Sequence, residues 1–558
     1  MTSPTVSERV AQALVPHISD IFGVMGNGNA YFLDAAERLG LTFTAVRHEG
    51  AAVAAADAYY RTSGRLAAAT TTYGAGYTNS LTGLIEAVRA QIPAVLITGD
   101  IPTGGPRPWD IDQPAVAEAV GAPTFTVTRS AAASITRQAI EHAIEHRTAV
   151  VLAIPYDLAA EPAEDEQVDA SPLPARTKPP LVHELLEMAA ELLASARRPL
   201  ILAGRGAHLA GAGPALRVLA ATTGALTAGT VLGQGIFAHE GDLGVAGGFS
   251  SEVSAELMAE ADVVLAVGAR LNQFTMRFGD LVGETATLIQ IDTAPEPTSP
   301  RVDHFIHADA RDAVEILTRL VPEEAPPTTW RTQSAPRTAR ASDRAQGEEL
   351  AEDGRLDPRS TARALNALLP AHRVVVQDGG HFSGWVPMYW DIQRPQDLAM
   401  VGTAYQTIGL GLASLAGASA AAAPGRTAVL TTGDGGLLMG LADLETVART
   451  ATSAVIVVFN DGAYGAEIHQ YASQGLSRAP MLIPDVDFAS LARAVGATGT
   501  TVTRLEDLEG LREWIALGAR GLHLVDCRIS PAVRAPYMDE VLAAASKARE
   551  RDASASRR

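Results

Sequence analysis

The chain has 558 residues, 47% hydrophobic and 19% charged, which describes a well-buried globular protein too long for one core and suggests about three domains. A formal net charge of −19 argues against nucleic acid and an anionic membrane as partners. The single cysteine, Cys527, excludes an intrachain disulfide and a cysteine-rich metal site, and fits a reducing cytoplasm.

The first nine residues lack the basic start and apolar run of a secretory leader. A first strand ends in Ile21-Phe22-Gly23-Val24-Met25-Gly26-Asn27-Gly28-Asn29. Asn27 reads either as a turn residue with φ above zero or as an amide that contacts a ligand. Residues 42–46, 66–71 and 94–98 read as further strands. Glu49, in Arg47-His48-Glu49-Gly50-Ala51-Ala52, stands where a short strand gives way to an Ala-rich helix. Position alone gives it the ordinary role of a carboxylate at a helix start. Thr72-Tyr73-Gly74-Ala75-Gly76-Tyr77-Thr78-Asn79 reads as a strand-to-helix turn.

Residues 160–180 and 322–349 are Pro-rich and polar and read as surface connectors. Between them, residues 199–203, 263–267 and 288–291 read as strands. Gly204-Arg205-Gly206 and Gly268-Ala269-Arg270-Leu271-Asn272 follow two of these, without a full Gly-x-Gly-x-x-Gly fingerprint. Beyond the second connector, residues 374–377, 428–432, 455–459 and 523–526 read as strands. The apolar run 409–423 is too short to span a bilayer and is dense in Gly, Ala and Ser, as tightly packed helices are. The tail 547–558 is charged and Ser-rich and reads as frayed. Alternating strands and helices give an α/β fold of three Rossmann-like parallel-sheet domains, at residues 1–165, 181–322 and 355–540.

One spacing carries chemistry. Gly433-Asp434-Gly435 ends one apolar strand, and Asn460-Asp461 ends the next. Two parallel strands so deliver Asp434 and Asp461 to one sheet edge, where open α/β sheets bind ligands. Mg2+ takes hard oxygen ligands and completes its shell with phosphate oxygens and water. Asp434, Asp461 and a backbone carbonyl at Ala463 could supply the protein share. Gly433, Gly435 and Gly436 would let a diphosphate approach the backbone.

These motifs resemble those of thiamine-diphosphate (ThDP) enzymes of the acetolactate synthase, benzoylformate decarboxylase and pyruvate decarboxylase superfamily. The resemblance covers nearly the whole chain, although the family's second motif ends Asn-Asn where this sequence has Asn460-Asp461. It implies a pyrimidine-binding first domain, a central domain and a diphosphate-binding third domain. It implies that Glu49 bonds N1′ of the cofactor's aminopyrimidine, beside a loop carrying Gly74, Gly76 and Asn79. In Thr407-Ile408-Gly409-Leu410-Gly411-Leu412, Ile408 holds the place of the residue that bends the cofactor. In Asp378-Gly379-Gly380-His381-Phe382, His381 would meet phosphate or substrate. Asn460, with Gly433 to Gly436, belongs to the diphosphate clamp. Asn27, Arg47, Tyr73, Gln113, His469 and Gln470 become candidate substrate contacts.

The implied cofactors are ThDP and Mg2+. FAD occupies the central domain of some relatives and is not favoured here, because the fingerprint is incomplete. The implied reaction is C–C bond cleavage or ligation on pyruvate or a related 2-ketoacid, with an aldehyde or ketoacid acceptor. The alternatives are a 2-ketoacid decarboxylase of the benzoylformate type and a catalytically silent scaffold. The His-His pair of pyruvate decarboxylases is absent. A homodimer or homotetramer is implied, with each site between the first block of one subunit and the third block of its partner.

Overall fold

Runs of Val, Ile, Leu and Ala that do not alternate with polar residues suit strands buried on both faces, as in parallel sheets covered by helices. The computed structural model describes residues 3–237, 241–322 and 328–555, and in it such runs build three six-stranded sheets whose pairings are all parallel. The first contains β1 (Asp20–Gly23), β2 (Thr42–Ala45), β3 (Ala68–Thr71), β4 (Ala94–Asp100), β5 (Thr124–Thr126) and β6 (Ala149–Pro155). The second contains β7 (Pro199–Ala203), β8 (Leu226–Gly229), β9 (Asp242–Val245), β10 (Val263–Val267), β11 (Thr287–Asp292) and β12 (His304–His307). The third contains β13 (Arg373–Gln377), β14 (Leu398–Met400), β15 (Thr427–Gly433), β16 (Ser453–Asn460), β17 (Thr498–Val502) and β18 (Gly521–Arg528).

The first sheet runs β2-β1-β3-β4-β6-β5 and the third β14-β13-β15-β16-β18-β17. These are the same order, so the outer domains share one topology. The central sheet runs β12-β11-β10-β7-β8-β9, the doubly wound order whose direction reverses between β7 and β10.

The outer domains pack directly on each other. The helices Gly50–Ser63 and Gly411–Ala421 are Ala-rich and largely buried, and one hydrophobic cluster takes residues from both domains. A Cβ at Gly417 would collide with the carbonyl oxygen of Ala55, so glycine sets how closely these helices approach. Arg47 adds an ion pair to Glu445 at 2.7 Å, and its N–H donates to Asp443 Oδ1 at 2.9 Å.

Two expectations need correction. The 322–349 segment contains a helix, Trp330–Thr338, because Trp330 buries in the central core and Arg331 donates to the carbonyls of Ala220 and Ala225. Pro326-Pro327 lies outside the described residues. The tail continues a single helix, Pro536–Ala555, and residues 556–558 lie outside the described residues. The 160–180 segment has no helix or regular strand. It is anchored by Glu166, whose carboxylate accepts from the N–H groups of Ala133 and Ser134 at 2.8 and 2.9 Å. No described helix is long and apolar enough to cross a membrane.

Candidate active site

β15 and β16 lie side by side, with Gly433 opposite Phe459. Asp434 therefore follows one strand end and Asp461 the neighbouring one. Asp434 is 2% exposed, and its Oδ2 is buried without a hydrogen-bond partner. Burial pushes its pKa up to about 6. Asp461 is pushed up to about 7, first by burial and then by the negative charge of Asp434. Two carboxylates that repel each other in a desolvated place are costly unless a cation joins them.

The charge of Arg355 opposes that shift at Asp461 only in part. Arg355 donates instead to the backbone carbonyls of Asn460 at 3.2 Å and Asp461 at 3.3 Å. Among the described residues, no three His, Cys, Asp or Glu side chains gather as a metal cage. A cation here would draw its remaining ligands from carbonyl, water or phosphate oxygens, the preference of Mg2+. The donor set therefore fits a hard divalent ion bound together with a phosphorylated ligand. The Ala463 N–H donates to Asp461 Oδ1 at 3.1 Å, which fixes the 461–463 turn.

The glycines of this loop answer to the protein as well. A Cβ at Gly435 would stand 2.6 Å from the Tyr464 ring, and one at Gly436 would stand 2.7 Å from Asp378 Oδ2. Asp378 is a functional candidate that sequence reading passed over. Its buried carboxylate, pushed by burial up to about 6, accepts from the N–H of Gly379 at 2.8 Å and of Gly409 at 3.0 Å, and from Thr432 Oγ1 at 3.3 Å. It ties the ends of β13 and β15 to the loop that carries Ile408. The Asp378-Gly379 step after an apolar strand is a signal that could have found it. Ile408 is half-exposed on that loop, beside Gly379, and is not part of the core.

His381 is buried, and its ring centroid lies 4.5 Å from that of His469. Burial, then the positive charges of His469 and Arg534, pushes its pKa down to about 3. The Ala535 N–H donates to its Nε2 at 2.9 Å, so the ring is neutral and the proton sits on Nδ1. Burial lowers the pKa of His469 too, and its Nε2 is buried with no partner. Gln470 is half-buried on the helix Gly465–Tyr471 that follows the Asp461 turn.

In the first domain, Glu49 precedes the helix Gly50–Ser63 and makes no side-chain cap to it. It keeps the place of a carboxylate at a helix start without bonding the first turn. Asn79 Nδ2 donates to Glu49 Oε2 at 3.0 Å, and a Cβ at Gly76 would stand 3.2 Å from Oε1. Glu49, Gly76 and Asn79 thus form one cluster, with Glu49 half-buried rather than buried within a single chain. Asn27 does not have φ above zero. Its Nδ2 donates to the hydroxyls of Tyr73 at 3.1 Å and Tyr156 at 3.4 Å. The Arg107 guanidinium lies 4.1 Å from the Tyr73 ring centre and 4.5 Å from that of Tyr156, while ion-paired to Asp110 at 2.8 Å. Tyr156 and Arg107 were missed by sequence reading, since they come from distant segments.

Three residues read as ligand contacts have partners within the protein. Gln113 Oε1 accepts from the Gly74 N–H at 2.7 Å and its Nε2 donates to the Gly99 carbonyl at 2.9 Å, so its amide holds the 73–79 loop in place. Asn460 Nδ2 donates to Asp526 Oδ1 at 2.9 Å inside the sheet. Arg47 is committed to Glu445. Among the described residues, no hydrogen bond or ion pair joins the Glu49 cluster to the Asp434–Asp461 cluster within one chain.

A fold of three parallel-sheet domains, two of one topology, with a carboxylate pair at the third sheet's edge, defines a class, and sequence comparison gives that class its name. Residues 4–116 match "Thiamine pyrophosphate enzyme, N-terminal TPP binding domain", 186–317 match the central domain and 378–527 the C-terminal TPP binding domain of the same family. The chain belongs to the thiamine pyrophosphate enzymes.

Within that family its relatives divide. The chain is 27% identical to a probable acetolactate synthase large subunit of Methanocaldococcus jannaschii, over 95% of this chain and 93% of that one. It is 27% identical to a sulfoacetaldehyde acetyltransferase of Castellaniella defragrans, over 90% of this chain and 89% of that one. It is 28% identical to a probable 2-ketoarginine decarboxylase of Pseudomonas aeruginosa, over 92% of this chain and 91% of that one.

Proposed function

We propose that the chain is a ThDP- and Mg2+-dependent lyase or carboligase acting on pyruvate or a related 2-oxoacid, of the acetolactate synthase kind. The observation that carries this is the pairing of buried Asp434, which has an unpartnered oxygen, with half-buried Asp461, neither of them in an ion pair among the described residues. Asp434, Asp461 and the Ala463 carbonyl hold Mg2+, which neutralises both carboxylates and receives the diphosphate. Bound ThDP supplies the electron sink that allows a bond at the substrate's carbonyl carbon to break.

The chain's own residues do the rest. Glu49 holds a proton at N1′ of the aminopyrimidine, and Asn79 orients its carboxylate. Gly74 and Gly76 let the ring approach the loop. Ile408, held between Gly379 and Gly409, supports the bent cofactor. Asn27 and the Tyr73 hydroxyl present hydrogen bonds at the substrate's entry, with His381, His469 and Gln470 on the diphosphate side. Each site is completed by a second copy, in a homodimer or homotetramer, a reading supported by the absence, among the described residues of one chain, of any hydrogen bond or ion pair joining the Glu49 and Asp434 clusters. The central domain's loops follow β7 and β10 without a full phosphate-binding fingerprint, so FAD is not part of the reading. The 2-ketoarginine decarboxylase match supports a second reading, decarboxylation without ligation.

A panel of 2-oxoacids with ThDP and Mg2+, with and without aldehyde acceptors, separates these. Hydroxyketones followed by mass spectrometry and lost in Glu49→Gln support the carboligase. Aldehyde alone supports the decarboxylase. No turnover despite Mg2+-dependent ThDP binding would contradict both and leave a silent scaffold.

A further inference from the structure

We propose that Glu86 is a positioning residue for the active site: its buried carboxylate holds the 402–409 loop, and with it Ile408, in the shape that receives the cofactor. The inference rests on the reading of Ile408 as a cofactor contact. Glu86 lies on the helix Leu81–Arg89 of the first domain and is fully buried. A carboxylate in that position is tolerated only when its oxygens are satisfied. Oε1 accepts from Arg61 Nη2 at 3.3 Å, and Arg61 is itself gripped by Asp57 at 2.5 and 3.1 Å. The other oxygen leaves the domain. Oε2 accepts from the backbone N–H of Tyr405 at 2.7 Å, in the third domain.

The loop it grips is not a relaxed one. Gly402, Gln406 and Gly409 have φ of 105°, 58° and 88°, and Gln406 is not a glycine. Such a backbone persists where its surroundings over-determine it. Thr407 N–H closes the loop on the Gly402 carbonyl at 2.9 Å. Asp378 holds the far end at the Gly409 N–H, at 3.0 and 3.2 Å. Ile408 therefore lies between two carboxylate clamps, one from its own domain and one from the other.

The helix bearing Glu86 is braced in turn by the central domain. Arg205 Nη2 donates to the Ala90 carbonyl at 2.5 Å and Arg270 Nη1 to the Arg89 carbonyl at 3.5 Å. The Gly204-Arg205-Gly206 and Gly268-Ala269-Arg270 turns thus have a mechanical task. Arg89 lies 5.6 Å from the centre of the Tyr405 ring and covers the same loop.

The test compares Glu86→Ala, Glu86→Gln, Tyr405→Pro and the double variant Glu86→Ala/Tyr405→Pro in the full chain. Calorimetry with ThDP at saturating Mg2+ reads affinity, and amide hydrogen exchange reads the 402–409 loop. Glu86→Ala and Tyr405→Pro each weaken ThDP binding by roughly 10-fold or more and speed loop exchange, while β15 amides keep their protection. Glu86→Gln, which retains an acceptor, recovers most of the affinity. The double variant is no worse than the poorer single, because both remove one interaction. Tyr405→Pro leaves the Glu86–Arg61 pair intact, so the test survives if Glu86→Ala fails to fold.

Wild-type ThDP affinity in Tyr405→Pro, or losses that multiply in the double variant, would overturn the proposal. Ile408→Ala tells its failure from that of the reading beneath it. Unchanged affinity in Ile408→Ala removes the loop's cofactor role. Lost affinity there, with Tyr405→Pro unaffected, removes only the clamp.

Discussion

At the residue scale, the chemistry is concentrated in side chains that are stable only in company. Asp434 and Asp461 repel each other in a desolvated place, so the metal-free protein carries a cost at its own site. Asp461→Asn removes one of the two charges and keeps the shape. It should raise the stability of the metal-free protein by about 1 kcal/mol while weakening Mg2+ binding. Urea unfolding in the presence of a chelator checks this, and a loss of stability there would contradict it.

His523, on β18, gives a second residue-scale prediction. It is buried between Thr498 and Thr500, and burial pushes its pKa down to about 4 from 6.5. The folded state holds the neutral ring and the unfolded state binds a proton first. Stability is therefore full above about pH 6.5 and falls as the pH drops towards 4, by up to about 3 kcal/mol from this residue. The urea midpoint of the wild type should fall further between pH 7.5 and 5 than that of His523→Asn. Equal losses would show that another group controls the acid limb.

At the element scale, the contact between the helices Gly50–Ser63 and Gly411–Ala421 decides how the outer domains fit. Gly417→Ala gains about 1 kcal/mol of helix propensity, yet it places a Cβ against a backbone carbonyl that has no rotamer to change. Overpacking of this kind costs about 1–3 kcal/mol, so the variant should be less stable, read by thermal unfolding. A more stable Gly417→Ala would mean that the helices can slide apart freely.

The same scale shows what the sequence could tell. β4, β10, β15 and β16 are long apolar runs whose burial on both faces follows from composition, so the three parallel sheets and the Asp434–Asp461 edge were legible. The edge strand β2 was legible too, but three others were not: β5 and β14 have three residues each, and β17 is polar. The helix Trp330–Thr338 was hidden because one buried Trp outweighs a polar, Pro-containing stretch. Site residues divide on the same principle. Asp434 and Glu49 are marked by their place at the ends of elements. Gln113, Asn460 and Arg47 carry the right chemistry, but their partners come from distant segments that no local pattern reveals.

At the scale of the whole molecule, the chain is held together by the shared core of its outer domains more than by its connectors. Residues 163–180 have no regular structure, whereas the cores of the first and third domains are continuous. A broad-specificity protease should nick this segment first. The fragments should then elute together from a sizing column under native conditions, and separation would contradict the shared core. The same architecture leaves Glu49 bonded to Asn79 in the first domain and Asp434 with an unpartnered oxygen in the third.

The most direct test is calorimetric titration of the purified chain with ThDP, with and without Mg2+, beside Asp434→Asn. Tight ThDP binding that requires Mg2+ and is lost in the variant is the predicted result. ThDP binding indifferent to both Mg2+ and Asp434 would contradict the assignment of this sheet edge as the cofactor site.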